Sequence, residues 1–276
     1  MIKINNNHLE RFAQEHYEAL KDKIYIPNDE LKEIILAKPD KLLEVANKYK
    51  HYNSKFENKY DNFTKKKQEY NAYDLASKLQ VNVCPYCNIN PTYTVITENN
   101  TQITRPEFDH FYDKATYPVL SLSFYNLIPS CHICNSTIKG TKKFSYKTHM
   151  NPYSDNFDSV AKFYLNIKDS TFYYKIDGFD ISLKTEDERA ENNIQSFKLN
   201  ELYQNHKDIV LELIQKQAMY NDSYIDELLK EYEGTLFKNK EDLQRLISGG
   251  YISDDEIGKR PLSKLIKDIS SELGII

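Results

Sequence analysis

The segments Cys84-Pro-Tyr-Cys87 and Cys131-His-Ile-Cys134 decide the fold that we predict for this chain. They contain all four cysteines of the sequence, arranged as two closely spaced pairs. Four thiolates in such pairs are typical ligands of a tetrahedral structural zinc ion. The spacing therefore predicts that Zn²⁺ is bound by Cys84, Cys87, Cys131 and Cys134. The ion would join two segments that lie far apart in the sequence.

The first pair taken alone is also typical of a redox site of the glutaredoxin type, in which a CxxC motif lies at a strand-to-helix turn. A redox dithiol needs no distant second pair, whereas a zinc tetrathiolate needs four ligands. The second pair therefore favours structural zinc. A closed, four-coordinate zinc ion would take no part in a reaction and would hold its two segments in register.

A carboxylate and an imidazole stand side by side between the two cysteine pairs, in Glu107-Phe-Asp-His-Phe111. On a strand, Asp109 and His110 point to opposite faces, so we expect the strand to end or bend there. The two residue types suit different tasks. His110 can take a proton from water near neutral pH, and Asp109 can offer a hard oxygen ligand to a divalent cation.

The segment from Asn126 to Gly140 carries three further candidate residues. Asn135 and Lys139 share a face of a helix and could present an amide oxygen and an ammonium to one phosphate, although a turn asparagine and an exposed lysine show the same spacing. Lys142 and Lys143 extend this basic cluster, so we predict nucleic-acid contacts there. The amide of Asn126 suits a structural task, because it can tie the backbone groups of a loop.

The order of these motifs resembles the zinc-containing HNH endonucleases, the ββα-metal nucleases. The resemblance covers Cys84 to Gly140, about a fifth of the chain. It implies four catalytic positions: Asp109, His110, Asn126 and Asn135. Among them, His110 would be the general base, Asn126 the structural asparagine, and Asp109 with Asn135 the ligands of a catalytic Mg²⁺ or Mn²⁺. The third signature position is Asn rather than His, and the segment from Tyr117 to Phe124 lacks the glycine-rich turn common in the family.

The resemblance implies hydrolysis of DNA phosphodiester bonds, with water activated by His110 and products that carry 5′ phosphate and 3′ hydroxyl groups. RNA is the alternative substrate. A different class also fits part of the pattern, namely a zinc-dependent module that binds nucleic acid without cutting it. The combination of Asp109, His110 and Asn135 favours the enzyme, because simple binding does not require it. His132 and His149 have no assigned role.

The distribution of residues predicts an α+β chain in three parts. Residues 1–80 form a helical N-terminal region, residues 81–153 the zinc-binding core, and residues 154–276 a β-meander followed by helices. The meander would consist of three strands, Phe163–Ile167, Phe172–Ile176 and Phe179–Leu183. A last helix would begin near Leu262 and end before Gly274.

Composition limits the other possibilities. A formal net charge of -4 gives no global attraction to nucleic acid, so any such surface must be local. There is no glycine-rich phosphate loop, no membrane-spanning apolar run and no signal-peptide core. We therefore expect a cytoplasmic protein. The helical flanks resemble those of nuclease subunits of Septu-type antiphage systems, which implies that they dock an ATPase partner.

Overall fold

The computed structural model describes residues 1–66 and 69–276. Helices of very different lengths account for most of its regular structure: α1 (Leu9–Leu20), α2 (Asn28–Leu36), α3 (Leu42–Lys48), α4 (Asn53–Phe56), α5 (Lys59–Phe63), α6 (Ala72–Leu79), α7 (Phe157–Val160), α8 (Glu188–Phe197), α9 (Leu199–Tyr203), α10 (Lys207–Met219), α11 (Asp222–Tyr232), α12 (Lys240–Ser248) and α13 (Ser263–Glu272). A π-helix also spans Ile133–Lys139.

The strands form small antiparallel pairs, so the chain is an α+β protein: β1 (Val95–Ile96) with β2 (Gln102–Thr104), β3 (Glu107–His110) with β4 (Leu127–Ser130), and β5 (Ala161–Ile167) with β6 (Phe179–Thr185). The β3–β4 pair and the π-helix that follows it carry most of the candidate site. In this pair His110 lies opposite Leu127, and all four residues of β4 are buried.

Helix α6 starts with a capping box, in which Asn71 accepts from the backbone of the first turn and Asp74 accepts from the backbone N–H of Asn71. It ends at Gln80, which adopts the left-handed conformation common after helices. One face of α1, including Phe12 and Tyr17, is buried against the rest of the protein.

The predicted three-stranded meander is wrong. Only its first and last strands exist, and they pair directly as β5 and β6. The middle segment contains a 3₁₀ turn at Ser170–Tyr173, because the carboxylate of Asp169 accepts from the backbone N–H of Thr171 and caps that turn. Gly178 closes the loop: a β-carbon there would lie 2.4 Å from the backbone nitrogen of Phe172. This turn chemistry overrides the strand propensity of the aromatic residues.

The C-terminal helix is fastened to the loop that follows the first cysteine pair. The side chain of Asn88 donates to the carbonyl of Ile257 at 3.1 Å and accepts from the backbone N–H of Lys264 at 3.0 Å. Lys264 is fully buried, and its ammonium lies 2.7 Å from Asp158 and 2.8 Å from Asp268. The main hydrophobic cluster runs through both regions, so the cysteine loop and α13 belong to one core.

None of the helices in the described ranges is long and apolar enough to cross a membrane.

Candidate zinc centre and nuclease site

The four cysteines converge as the spacing predicts. Their sulfur atoms all lie within 4.8 Å of one another, and all four residues are buried. A tetrahedron of Zn–S bonds of about 2.3 Å places its sulfurs about 3.8 Å apart, so the cluster is of the right size. This group of Cys84, Cys87, Cys131 and Cys134 could therefore hold a zinc ion.

The surroundings of the sulfurs also suit a metal thiolate. The backbone N–H of Ile89 donates to the sulfur of Cys87 at 3.4 Å, and the N–H of Cys134 donates to Cys131 at 3.4 Å. The amide of Asn90 lies 3.5 Å from the sulfur of Cys131. Such donors stabilise thiolates and orient them. Burial raises the pKa of Cys84, and a cation bound among the sulfurs would favour its ionised form.

His110 is the last residue of β3, and its ring is fixed by one hydrogen bond. Its Nε2 lies 2.9 Å from the carbonyl oxygen of Ser121. Because a carbonyl can only accept, Nε2 must carry the proton and Nδ1 is left with a lone pair. Within residues 1–66 and 69–276, no hydrogen bond reaches Nδ1. The ring is therefore held as the tautomer that can accept a proton.

The N-terminal helices cover much of this imidazole. The ring of Tyr60, on α5, meets it edge to face with centroids 4.4 Å apart, and the Tyr60 hydroxyl donates to the carbonyl of Phe108 at 3.1 Å. Burial lowers the pKa of His110 to about 4, and the nearby positive charges of Lys114 and Lys139 act in the same direction. His110 is therefore neutral at physiological pH, which is the form a general base requires.

Asp109 lies on the opposite face of β3 and is committed to neighbours inside the protein. Its Oδ2 accepts from the hydroxyl of Tyr86 at 2.7 Å, and both its oxygens accept from the ammonium of Lys139, at 2.6 and 2.8 Å. The same ammonium donates to the carbonyl of His110 at 2.6 Å. Only 2% of the Lys139 side chain is exposed. The prediction that Lys139 contacts nucleic acid therefore does not fit its position, because its charge is buried against Asp109.

Asn135 does not join Asp109. Its amide donates to Glu107 at 2.8 Å, and the same carboxylate accepts from the hydroxyl of Ser136 and from Nδ1 of His132, both at 2.7 Å. Asn135 and Lys139 do share a face of their helix, as expected. That face is turned to β3, where each residue meets a different carboxylate, Glu107 or Asp109. The structure thus does not bring the two predicted cation ligands together.

Asn126 ties the loop between β3 and β4. Its side-chain oxygen accepts from the backbone N–H of Tyr112 at 2.7 Å, and its amide donates to the carbonyls of Tyr112 and Leu120 at 3.0 and 3.1 Å. Asn126 is completely buried. The residue therefore fixes the loop that carries Ser121, the partner of His110.

Replacing Asn126 should destabilise the protein strongly. Asn126→Ala leaves the backbone N–H and carbonyl of Tyr112 without these partners, and each such group costs about 1–3 kcal/mol. The carbonyl of Leu120 still accepts from the N–H of Ser123 at 3.1 Å. We expect the free energy of unfolding in urea to fall by about 2–5 kcal/mol, since the loop can partly relax. Asn166→Ala, on the exposed face of β5, is the matched control and should change stability little. Equal stability of the two variants would contradict the role of Asn126.

The remaining predicted lysines lie on the surface. Lys142 and Lys143 are exposed, and the ammonium of Lys142 donates to the carbonyl of Ser196 at 2.8 Å. Lys114 was not predicted, yet it is the exposed lysine whose charge acts on His110. Nothing in the sequence indicated this role, because the turn after β3 is what brings Lys114 close to His110. His149 stacks on Phe144 with ring centroids 3.7 Å apart, which suits a packing role.

A second buried histidine, His16 on α1, supports the same loop. Its Nε2 donates to the carbonyl of Leu122 at 2.9 Å, one residue beyond the carbonyl that His110 holds. Its Nδ1 lies 2.9 Å from the hydroxyl of Tyr70. Two histidines from distant parts of the chain therefore hold consecutive carbonyls of one loop. Sequence reasoning missed His16, because a lone histidine on an amphipathic helix gives no indication of a distant partner.

Stability should fall as the pH falls through the region below 6.5. Burial lowers the pKa of His16 to about 4, whereas its ordinary value is 6.5. Between these values the unfolded chain binds a proton that the folded chain does not, so folding loses up to about 1.4 kcal/mol per pH unit from this group. Urea titrations between pH 7 and pH 4.5 measure the loss. His16→Gln retains a donor for Leu122 and should show a flatter pH profile; an unchanged profile would contradict the assignment.

Comparison with known protein families, with curated proteins and with solved structures found no match to this chain.

Proposed function

We propose that the protein is an HNH-type nuclease that hydrolyses phosphodiester bonds in DNA, with His110 as the general base. The observation that carries the proposal is the fixed tautomer of His110. The hydrogen bond to Ser121 directs the lone pair of Nδ1 away from the loop, and the neutral ring can take a proton from an attacking water molecule. The hydrogen bonds of Asn126 and His16 hold the loop in place.

The arrangement of β3, β4 and the π-helix supports the same proposal. The two strands pair over four residues, and the second cysteine pair begins directly after β4. A zinc ion bound by the four cysteines would fix the start of the π-helix to the loop at Cys84 and Cys87. The role of this zinc is structural: it keeps Asp109, His110 and the helix in register.

Three exposed lysines could receive the phosphate backbone, and the charge of one of them, Lys114, acts on His110. Lys114, whose side chain is 46% exposed, follows β3 by four residues and is paired with Asp61 at 2.9 Å. Lys142 and Lys143 are also exposed, just after the π-helix. Since the net charge of the chain is -4, nucleic-acid binding would depend on this local basic surface and should weaken as salt is added.

The divalent cation that the HNH resemblance implies does not have its expected ligands. Both oxygens of Asp109 are bonded to Lys139, one of them also to Tyr86, and the amide of Asn135 is bonded to Glu107. The residues present therefore do not form an open site for Mg²⁺ or Mn²⁺.

A cleavage assay tests the proposal. Zinc-loaded protein would be incubated with supercoiled plasmid DNA and, separately, with single-stranded RNA, each with Mg²⁺, with Mn²⁺ or without added divalent cation. We expect nicking or linearisation of DNA. Cleavage of RNA alone would change the substrate class and leave the role of His110 intact. If the protein binds either nucleic acid but cleaves neither of them in all of these conditions, the proposal is overturned in favour of a zinc-dependent binding module.

We extend the proposal to a role in bacterial antiphage defence, with an ATPase partner bound through the helical flanks. Three exposed apolar side chains support a docking surface in the C-terminal region: Met219 on α10, Leu236 in the turn after α11 and Leu246 on α12 are 61%, 72% and 61% exposed. Co-expression with the ATPase of a Septu-type system tests this. Co-purification that is lost in a Leu236→Lys and Leu246→Lys double variant would support it, and no association would contradict it.

A further inference from the structure

The ammonium of Lys139 occupies a site made of three oxygen atoms. Both carboxylate oxygens of Asp109 and the carbonyl oxygen of His110 lie 2.6–2.8 Å from Nζ. The ring of Phe144 lies beneath the ammonium, with its centroid 4.9 Å away. Carboxylate and carbonyl oxygens are also the ligands that hard divalent cations prefer. The ammonium therefore sits where the HNH resemblance would place a metal ion.

We infer that Lys139 is the resident cation of this site, so that Asp109 binds the lysine ammonium and not a divalent metal ion. The inference rests on the proposed function, because it concerns the cation of that nuclease site. Lys139 is then a positioning residue: it holds Asp109 and the backbone at His110 without touching the substrate.

Burial makes this pairing exclusive. The side chains of Lys139 and Asp109 are 2% and 5% exposed, and the other partner of the carboxylate, Tyr86, is fully buried. A divalent ion that entered would have to displace the ammonium and leave a lysine charge buried without a partner. Removing one member of a buried ion pair is strongly unfavourable, because the remaining charge has lost its solvation. Binding of the lysine ammonium to Asp109 is therefore favoured over binding of a divalent ion from solution.

The backbone explains why the lysine reaches this position. The segment Ile133–Lys139 is a π-helix, and the N–H of Gly140 donates to the carbonyl of Asn135, five residues earlier, at 2.9 Å. Such a turn contains one residue more than an α-helical turn and is frequent at functional sites. It directs Asn135 to Glu107 and Lys139 to Asp109, two residues apart on the same face of β3. The carboxylate that a metal ion would need is thereby used by Lys139.

Paramagnetic broadening by Mn²⁺ tests the inference on the wild-type protein without any substrate. Two-dimensional NMR spectra of the zinc-loaded protein would be recorded while Mn²⁺ is added. We expect the backbone signals of Asp109 and His110 to broaden no more than those of other buried residues. Selective broadening of these two signals would place the ion at Asp109 and overturn the inference.

A gain of binding provides the second test. Lys139→Ala empties the site and should gain Mn²⁺-dependent broadening of the signals of Asp109 and His110, and the double variant Lys139→Ala with Asp109→Asn should lose it again. If Lys139→Ala folds and gains no binding, the ammonium is not what excludes the ion, and the inference fails. Should that variant not fold, the wild-type spectra decide alone. Neither measurement involves cleavage, so a failed nuclease assay would leave both results readable.

Discussion

Cys131→Ser should abolish the folded core. Structural zinc ions contribute apparent binding free energies of about 10–16 kcal/mol in zinc-finger peptides, which equals or exceeds the net stability of about 5–15 kcal/mol of a typical protein. Cys131 is one of four convergent thiols, and a serine hydroxyl is a poor ligand for zinc. We therefore expect loss of zinc and loss of the cooperative thermal transition.

The damage should spread beyond the cysteines. The carbonyl of Cys87 accepts from the hydroxyl of Tyr203 at 2.6 Å, and the next residue, Asn88, holds the start of α13 through Leu262 and Lys264. Loosening this loop therefore removes support from the C-terminal helices. Far-UV circular dichroism of Cys131→Ser should show a loss of helix larger than the π-helix alone could produce.

A substitution in the same turn provides the control. His132 lies between the two cysteines of its pair, its side chain is 71% exposed, and its imidazole is hydrogen-bonded to Glu107. His132→Ala should keep its zinc, as measured by metal analysis of the purified protein, and should unfold close to the wild-type temperature. A Cys131→Ser variant with wild-type stability would show that the thiols do not hold a structural metal ion.

The convergence of the four cysteines, which could hold a zinc ion, could be predicted from the sequence because the two members of each pair are close together in the chain. Each pair of cysteines brings two ligands together through one turn, and thiolates in such pairs suit few other uses. The amphipathic helices α2 and α3 likewise follow from the spacing of their apolar residues. The predicted strand at Phe172–Ile176 is absent for a local reason as well, because Asp169 and Gly178 direct that segment into a closed loop.

The role of Lys139 could not be predicted in the same way. Its partner Asp109 lies 30 residues earlier, and the contact depends on a π-helix whose extra residue leaves no signature in the hydrophobic pattern. The sequence indicated a shared face for Asn135 and Lys139, which the structure has. It could not indicate that this face packs on β3, where Lys139 forms a buried ion pair with Asp109.

The hydrogen bonds to the loop at Ser121 could not be predicted from the sequence either. His16, His110 and Asn126 hold three consecutive carbonyls, those of Leu122, Ser121 and Leu120. One of these residues lies on α1, more than 100 positions away from its partner. Long-range side-chain to backbone hydrogen bonds follow no sequence period, so only the folded chain reveals that the N-terminal helices help to build the site.

His110→Gln should remove cleavage while the protein stays folded. The glutamine amide can still donate to the carbonyl of Ser121, but it cannot accept a proton from water near neutral pH. General-base catalysis contributes about 10²–10⁴-fold, so kcat/KM on DNA should fall by that factor. His110→Ala should lose activity equally and should also lose about 1–3 kcal/mol of stability, because the buried carbonyl is left unpaired.

The pH profile of cleavage by the wild-type protein would provide a second measure of the same group. Burial holds the pKa of His110 at about 4, and the proposed general base is the neutral ring. The profile of kcat/KM reports the pKa of the free enzyme, so activity should persist on acidification and fall only as the pH approaches 4, within the limits of stability set by the buried histidines. A fall centred near 6.5 would indicate a base with an ordinary histidine pKa. Substantial cleavage by His110→Gln would exclude His110 as the base altogether.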